Sequence, residues 1–221
     1  VISLGPRPAV TDVERGERLF FDARLSKDGW MSCHSCHTDG HTNGLLNDNL
    51  GDGSYGAPKR VLSLLGTVNT GPWAWNGQVS SLENQVRHSI TTTMRGPEPT
   101  HRDVTDLSAY VRSLSWPAPP RISADQDVRH GERLFIALKC DRCHAPPLYT
   151  SPASYDVGLV DEVGERKFNP PSLRGVGQRP RLFHDNRARS LTEVLTRFRH
   201  QVGRTLSEEE VAELVRFLQS L

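Results

Sequence analysis

Two stretches of the chain set out apolar positions with the same spacing. Leu107, Tyr110, Val111 and Leu114 fall at i, i+3, i+4 and i+7, and so do Leu214, Phe217, Leu218 and Leu221. That period puts one apolar stripe along a helix. The second stripe follows Ser207-Glu208-Glu209-Glu210, a capping box that marks a helix start. Each stripe predicts a helix closing its half of the chain.

The halves also open alike. Thr11-Asp12-Val13-Glu14 is a capping box leading into Arg15-Gly16-Glu17-Arg18-Leu19-Phe20, and Ser123-Ala124-Asp125-Gln126 leads into His130-Gly131-Glu132-Arg133-Leu134-Phe135 in the same way. Between the opening and closing helices, Gly66, Trp75 and the helix start Ser81-Leu82-Glu83 recur as Gly175, His184 and Ser190-Leu191-Thr192. The chain therefore reads as a duplicated unit in which Trp75 and His184 are equivalent. Ser115-Trp116-Pro117-Ala118-Pro119-Pro120 joins the copies, its prolines stopping one helix and stiffening the crossing. Segments 38–60 and 145–181, rich in Gly, Pro and Asn, predict long irregular loops, and no strand pattern stands out. The expected domains are 1–116 and 123–221 with a proline-rich linker over 117–122.

Composition narrows the function. Basic residues number 27 and acidic ones 26 in 221, so no strongly basic surface argues for nucleic acid. No apolar run approaches the roughly 18 residues a membrane span needs. All four cysteines lie in Cys33-His34-Ser35-Cys36-His37 and Cys140-Asp141-Arg142-Cys143-His144. Both are C-x-x-C-H, the spacing that attaches a c-type haem: two thiols reach the two vinyl groups of one porphyrin, and the histidine takes an axial position on iron. A four-thiolate zinc site is the competing reading, and it leaves the histidine after each pair unexplained. Thioredoxin-like redox pairs would need a βαβ context, which the chain does not show. The fold expected is all-α: two tandem class I cytochrome c-like domains, each wrapping one covalently bound haem c with long irregular loops. A haem also supplies the apolar core that loops of this length lack. Such haems are attached outside the bacterial cytoplasm, which predicts a periplasmic or exported protein. A chain opening on Val1 without methionine is expected to be a mature or excised piece.

Leu19-Phe20-Phe21-Asp22-Ala23-Arg24-Leu25-Ser26-Lys27-Asp28-Gly29 before the first haem motif resembles the N-terminal haem domain of the bacterial dihaem cytochrome c peroxidase and MauG family. Trp75-Asn76-Gly77 with Ser81-Leu82-Glu83-Asn84-Gln85, and Pro171-Ser172-Leu173-Arg174-Gly175-Val176 with Phe183-His184-Asp185, extend the resemblance over most of 14–221. The resemblance implies that peroxide binds at one haem and that the other stores or relays an electron. It gives proximal ligation to His37 and His144, the inter-haem tryptophan to Trp75, the distal glutamine to Gln85 and the histidine near the haems to His184.

The departures from the family are specific. Ten residues beyond Gln85, where the resemblance implies an acid/base carboxylate, stands Arg95, which can stabilise a departing hydroxide but is a poor proton shuttle. Glu98 is the nearby substitute, with an exposed charge as the alternative reading. The sixth-ligand slot of the first haem falls near Asp52, a turn residue; His41, His88 and Met94 are the alternatives. In the second half Phe198 occupies that slot and cannot bind iron, leaving His200 as the candidate ligand. The interdomain calcium that the resemblance implies has Gly56, Arg179 and Arg181 at its ligand positions, so its ligands are not matched; arginines there suit haem propionates better. The expected function is reduction of hydrogen peroxide or a related oxidant at one open haem, with electrons from a small redox protein. The alternative is a non-catalytic electron-transfer module of a larger chain or complex.

Overall fold

The computed structural model describes residues 9–48, 50, 53, 55–118 and 126–221. It is built from two helix pairs. In the first half α1 (Asp12–Phe20) packs against α4 (His101–Ser113); in the second α5 (Gln126–Ala137) packs against α7 (Glu208–Gln219). Between them lie α2 (Cys33–Cys36), α3 (Leu82–His88) and α6 (Leu191–Thr196).

The caps form where the sequence places them. Thr11 and Glu14 make a reciprocal capping box on α1, as do Ser207 and Glu210 on α7. Ser81 and Ser190 cap α3 and α6 by accepting from the amides of Asn84 and Glu193. Thr100 and Asp103 form a third box, on α4, which was not expected because the N3 residue is an aspartate rather than a glutamate. The box expected at Ser123 lies outside the described residues, as do Asp52 and positions 119–122 of the linker.

One glycine in each half sets the helix crossing. A Cβ on Gly16 would fall on the carbonyl oxygen of Asp106, and one on Gly131 on that of Glu213. Only glycine lets the two backbones approach so closely. The residue before each glycine pairs with the same acid: Arg15 forks onto Asp106 at 2.7 and 3.0 Å, and His130 Nδ1 lies 2.7 Å from Glu213. Phe20, Leu107 and Tyr110 fill the first crossing, and Phe135, Leu214 and Phe217 the second. Each buried side chain of this size is worth roughly 2 kcal/mol. The closing stripes end in the same contact, since the amide of Gly66 donates to Leu114 O at 2.8 Å and that of Gly175 to Leu221 O at 3.2 Å.

The loop segments are not wholly irregular. β1 (Leu46–Asn47) pairs antiparallel with β2 (Lys59–Arg60), and β3 (Tyr155–Asp156) with β4 (Lys167–Phe168). Two-residue strands are too short to write an alternating pattern into the sequence. Isolated bridges Trp73–Val79 and Leu182–Ala188 repeat the duplication.

The halves join reciprocally. The amide of Arg60 donates to the carbonyl of His184 at 2.6 Å, and the amide of Asn169 donates to the carbonyl of Trp75 at 2.7 Å. Each half thus gives a hairpin strand end to the equivalent residue of the other, as in a two-fold interface. A buried ion pair, Lys59 Nζ to Asp161 Oδ2 at 3.1 Å, also crosses the junction.

Candidate functional site

The C-x-x-C-H segments sit against the helix pairs. Cys33, Cys36 and His37 line a cavity of about 200 Å³ whose walls are mostly apolar, including Phe20, Leu82, Ile90, Leu107 and Val111. Burial pushes the Cys33 thiol up to about 12 and the Cys140 thiol to about 11. The thiols are therefore neutral at physiological pH, unlike the low-pKa thiolates of redox motifs. Among the described residues no group of three His, Cys, Asp or Glu side chains is placed to hold a metal ion, so the four cysteines do not gather into a zinc site.

Both motif histidines are prepared as ligands. His37 Nδ1 lies 2.9 Å from Leu62 O and His144 Nδ1 lies 3.1 Å from Tyr149 O. A carbonyl only accepts, so each Nδ1 carries the proton and each Nε2 keeps its lone pair. Burial lowers the pKa of both imidazoles, that of His144 to about 4, which keeps them neutral. Neutral imidazole with a free Nε2, two adjacent thiols and an apolar wall are the donor set and surroundings that a covalently attached haem requires.

The second half brings a further histidine to His144. His200 is close enough for its charge to act on His144, and burial lowers its own pKa. Its ring meets Phe183 edge-on at 5.3 Å, between Arg199 and Gln201, both held at positive φ. Two non-glycine residues in left-handed backbone on either side of one side chain mark a constrained placement. Phe198 packs edge-on against Phe183 at 5.3 Å.

In the first half Gln85 lines the cavity; its Nε2 donates to Ser89 Oγ at 3.2 Å, and its buried Oε1 has no donor among the described residues. Beyond α3 the helix widens into a π turn over Ser89–Thr93. After it Met94 is buried in the cavity wall, 4% exposed, while Arg95 is exposed with φ +51° and lies outside the cavity lining. Arg95 is thus not brought to Gln85, contrary to the role expected of it. The wider turn changes which side chain faces inward. His88 is likewise exposed. Glu98 is exposed and ion-paired with Arg87, which matches the exposed-charge reading. His41 binds Ser63 Oγ through Nδ1 at 2.7 Å and faces a different cavity.

Trp75 and His184 meet at the junction. Trp75 is buried in the wall of the first cavity and its indole N–H donates to Arg60 O at 2.8 Å. His184 is 1% exposed; it stacks on Phe168 at 4.4 Å and meets Trp75 edge-on at 6.3 Å. Among the described residues neither of its ring nitrogens has a hydrogen-bond partner. Sequence reasoning missed Lys59, Arg60 and Trp73, which the fold brings to the same place. Their positions in the loops carry no period that could have revealed them.

Gly56, Arg179 and Arg181 offer no side-chain oxygen for calcium, and two of them bring positive charge. A calcium ion at these positions would have only their main-chain carbonyls to bind.

Residues 11–115 match the family described as di-haem cytochrome c peroxidase. The cytochrome c551 peroxidase of Nitrosomonas europaea is 24% identical, over 94% of this chain and 79% of that protein. The methylamine utilization protein MauG of Methylorubrum extorquens is 26% identical, over 84% and 68%. Hydrazine synthase subunit gamma of Kuenenia stuttgartiensis is 25% identical, over 95% and 77%. A solved structure of Kuenenia stuttgartiensis hydrazine synthase shares the fold, with a TM-score of 0.82 at 24% identity over 97% of this chain and 89% of that one. Through the match over residues 11–115 and relatives that align along most of its length, the chain is similar to the dihaem cytochrome c peroxidase and MauG family.

Proposed function

We propose that the protein is a periplasmic or exported dihaem c-type oxidoreductase whose two haem domains exchange electrons across the Trp75–His184 junction. The observation that carries this reading is the unequal equipment of two otherwise duplicated sites. His200 lies within electrostatic reach of His144 in the second half, and the first half has a cavity lined by Gln85, whose Oε1 has no donor among the described residues. Cys33, Cys36 and His37 would hold one haem and Cys140, Cys143 and His144 the other; each supplies an iron that carries single electrons. His200 caps the second site and suits it to relay. Gln85 orients a small hydroxyl-bearing oxidant such as hydrogen peroxide in the first cavity by accepting its hydrogen bond. Trp75 lies between that cavity and His184, and electrons from a small redox protein pass this way.

A second reading has observations of its own. With Arg95 outside and no carboxylate among the described residues of the cavity lining, the first site lacks the acid/base carboxylate that the family resemblance implies for O–O cleavage. Met94 brings a thioether into the same wall and would close the first site to ligands. The chain would then be an electron-transfer module of a larger oxidoreductase, a setting to which the similarity with hydrazine synthase subunit gamma lends support. Among the described residues no helix is long and apolar enough to cross a membrane.

Absorption and EPR spectra of the oxidised protein, before and after one equivalent of hydrogen peroxide per chain, separate the two. A high-spin ferric signal lost on addition supports reaction at the first site. Two low-spin signals indifferent to peroxide, in the half-reduced protein as well, would leave the relay and remove the peroxidase.

A further inference from the structure

Three arginines of the second half stand together at its surface. Leu182 and Ala188 form an antiparallel bridge, and both are buried in the core. Side chains alternate along such a pairing, so Arg181 and Arg189, the next pair in the register, point outward side by side. Both are exposed, and among the described residues neither guanidinium has a carboxylate partner. The main-chain amide of Arg189 donates to Glu193 Oε2 at 2.8 Å, and Glu193 Oε1 lies 3.9 Å from Nη1 of the exposed Arg197. One carboxylate thus serves three arginines. The Arg197 guanidinium lies over the Phe198 ring at 5.1 Å, and Phe198 and His200 both meet Phe183 edge-on at 5.3 Å. The basic cluster therefore borders the rings that include His200, whose charge reaches His144.

The fold does not demand this charge. At the equivalent positions of the first half stand Pro72, Ser80 and His88, none of them lysine or arginine. Like charges side by side on a bridge are destabilising, and an anionic surface laid against them offsets that cost. Among the described residues no exposed large apolar side chain falls within 181–204, so the cluster lacks the anchor with which a basic surface enters a membrane. Fixed charge beside a redox site speeds encounter with a partner of opposite charge. We infer that Arg181, Arg189 and Arg197 form the docking surface for a small redox protein with an acidic face, which delivers electrons to the second half. One electron leaves the reduced partner and one is gained at the second site; no atom is transferred. The inference rests on the dihaem reading and deepens it by giving the donor a charge and a place.

The test uses the haem-loaded protein. Haem content is measured first as the pyridine haemochromogen; fewer than two haems per chain would refute the dihaem reading and take the inference with it. Stopped-flow absorbance then follows haem reduction by an acidic flavodoxin in its hydroquinone form. The wild-type rate constant is expected to fall about 10-fold between roughly 20 mM and 200 mM salt. Arg181→Glu combined with Arg189→Glu should be about 10-fold slower than wild type at the lower salt and should lose most of the salt dependence. Arg18→Glu combined with Lys27→Glu makes the same change in net charge at exposed positions of the first half, and it should slow the reaction less than about threefold. Equal losses in the two double variants would reduce the effect to net charge and overturn the inference. Co-sedimentation with vesicles of equal phosphatidylcholine and phosphatidylglycerol tests the other anionic partner. Binding that Arg181→Glu with Arg189→Glu abolishes, at unaltered flavodoxin rates, would assign the surface to lipid instead. If that double variant does not fold, the wild type alone decides, since a flavodoxin rate indifferent to salt would overturn the docking surface.

Discussion

Trp75 and His184, equivalent residues of the two halves, meet edge to face at 6.3 Å, and each accepts a main-chain hydrogen bond from the half to which it does not belong. The indole is further fixed by its N–H on Arg60 O. Trp75→Phe keeps the ring and removes that bond. We expect both haems to remain bound while electron passage between them slows; flash-photolysis rates equal to wild type would take Trp75 out of the path.

His200 lies between the left-handed residues Arg199 and Gln201, with its ring edge-on to Phe183 and its charge within reach of His144. His200→Ala is expected to convert the second haem from low to high spin, read by EPR at low temperature. An unaltered spectrum would assign the sixth position to another group or to none.

Gln85 lines the first cavity, and Arg95 is exposed outside its lining. Gln85→Ala is expected to slow any reaction with hydrogen peroxide by about 10-fold to 100-fold, the loss of a roughly 1–3 kcal/mol oriented contact. Arg95→Ala is expected to change it less than about twofold. Stopped-flow absorbance measures both, and a larger effect for Arg95 would reverse the assignment.

Gly16→Ala and Gly131→Ala would each drive a methyl group into the backbone of the facing helix. Each should cost about 3 kcal/mol or more, seen as a lower denaturant midpoint. Equal losses at the two positions would bear out the duplication in energy as well as in geometry, and a neutral substitution would mean that the helices part easily.

The buried Lys59–Asp161 pair ties the halves together. Burial raises the Asp161 carboxyl, but the Glu165 amide, the Lys59 ammonium and the Val163 amide outweigh it and hold its pKa below the ordinary value. A depressed carboxylate contributes stability above its unfolded pKa, near 3.8, and loses it as pH falls through the lower folded value. Asp161→Ala should cost about 3 kcal/mol at neutral pH, because a buried ammonium loses its counter-ion. It should also flatten the acid limb of the stability curve below about pH 4. Urea melts across pH 3–7 test both, and an acid limb identical to wild type would refute the second.

The helices were legible because each carries its own signals. Thr11 with Glu14, Ser207 with Glu210 and the two apolar stripes depend on neighbours three or four residues apart, and the haem motifs are complete within five. The wall of the first cavity was only partly legible. Counting ten from Gln85 points to Arg95, but the π turn at Ser89–Thr93 is invisible in residue types, and it is Met94 that turns inward. Arg60 and Trp73 act through contacts with residues about a hundred positions away or with a shared cavity, and no local pattern encodes such a meeting.

The reciprocal bonds Arg60 N–H to His184 O and Asn169 N–H to Trp75 O use no side-chain atoms. This part of the join between the halves is therefore written into the main chain. The side chains of Arg60, His184, Asn169 and Trp75 can be exchanged, during evolution or by an engineer, without removing either bond. The chemistry at these four positions can drift while two threads of the seam stay fastened.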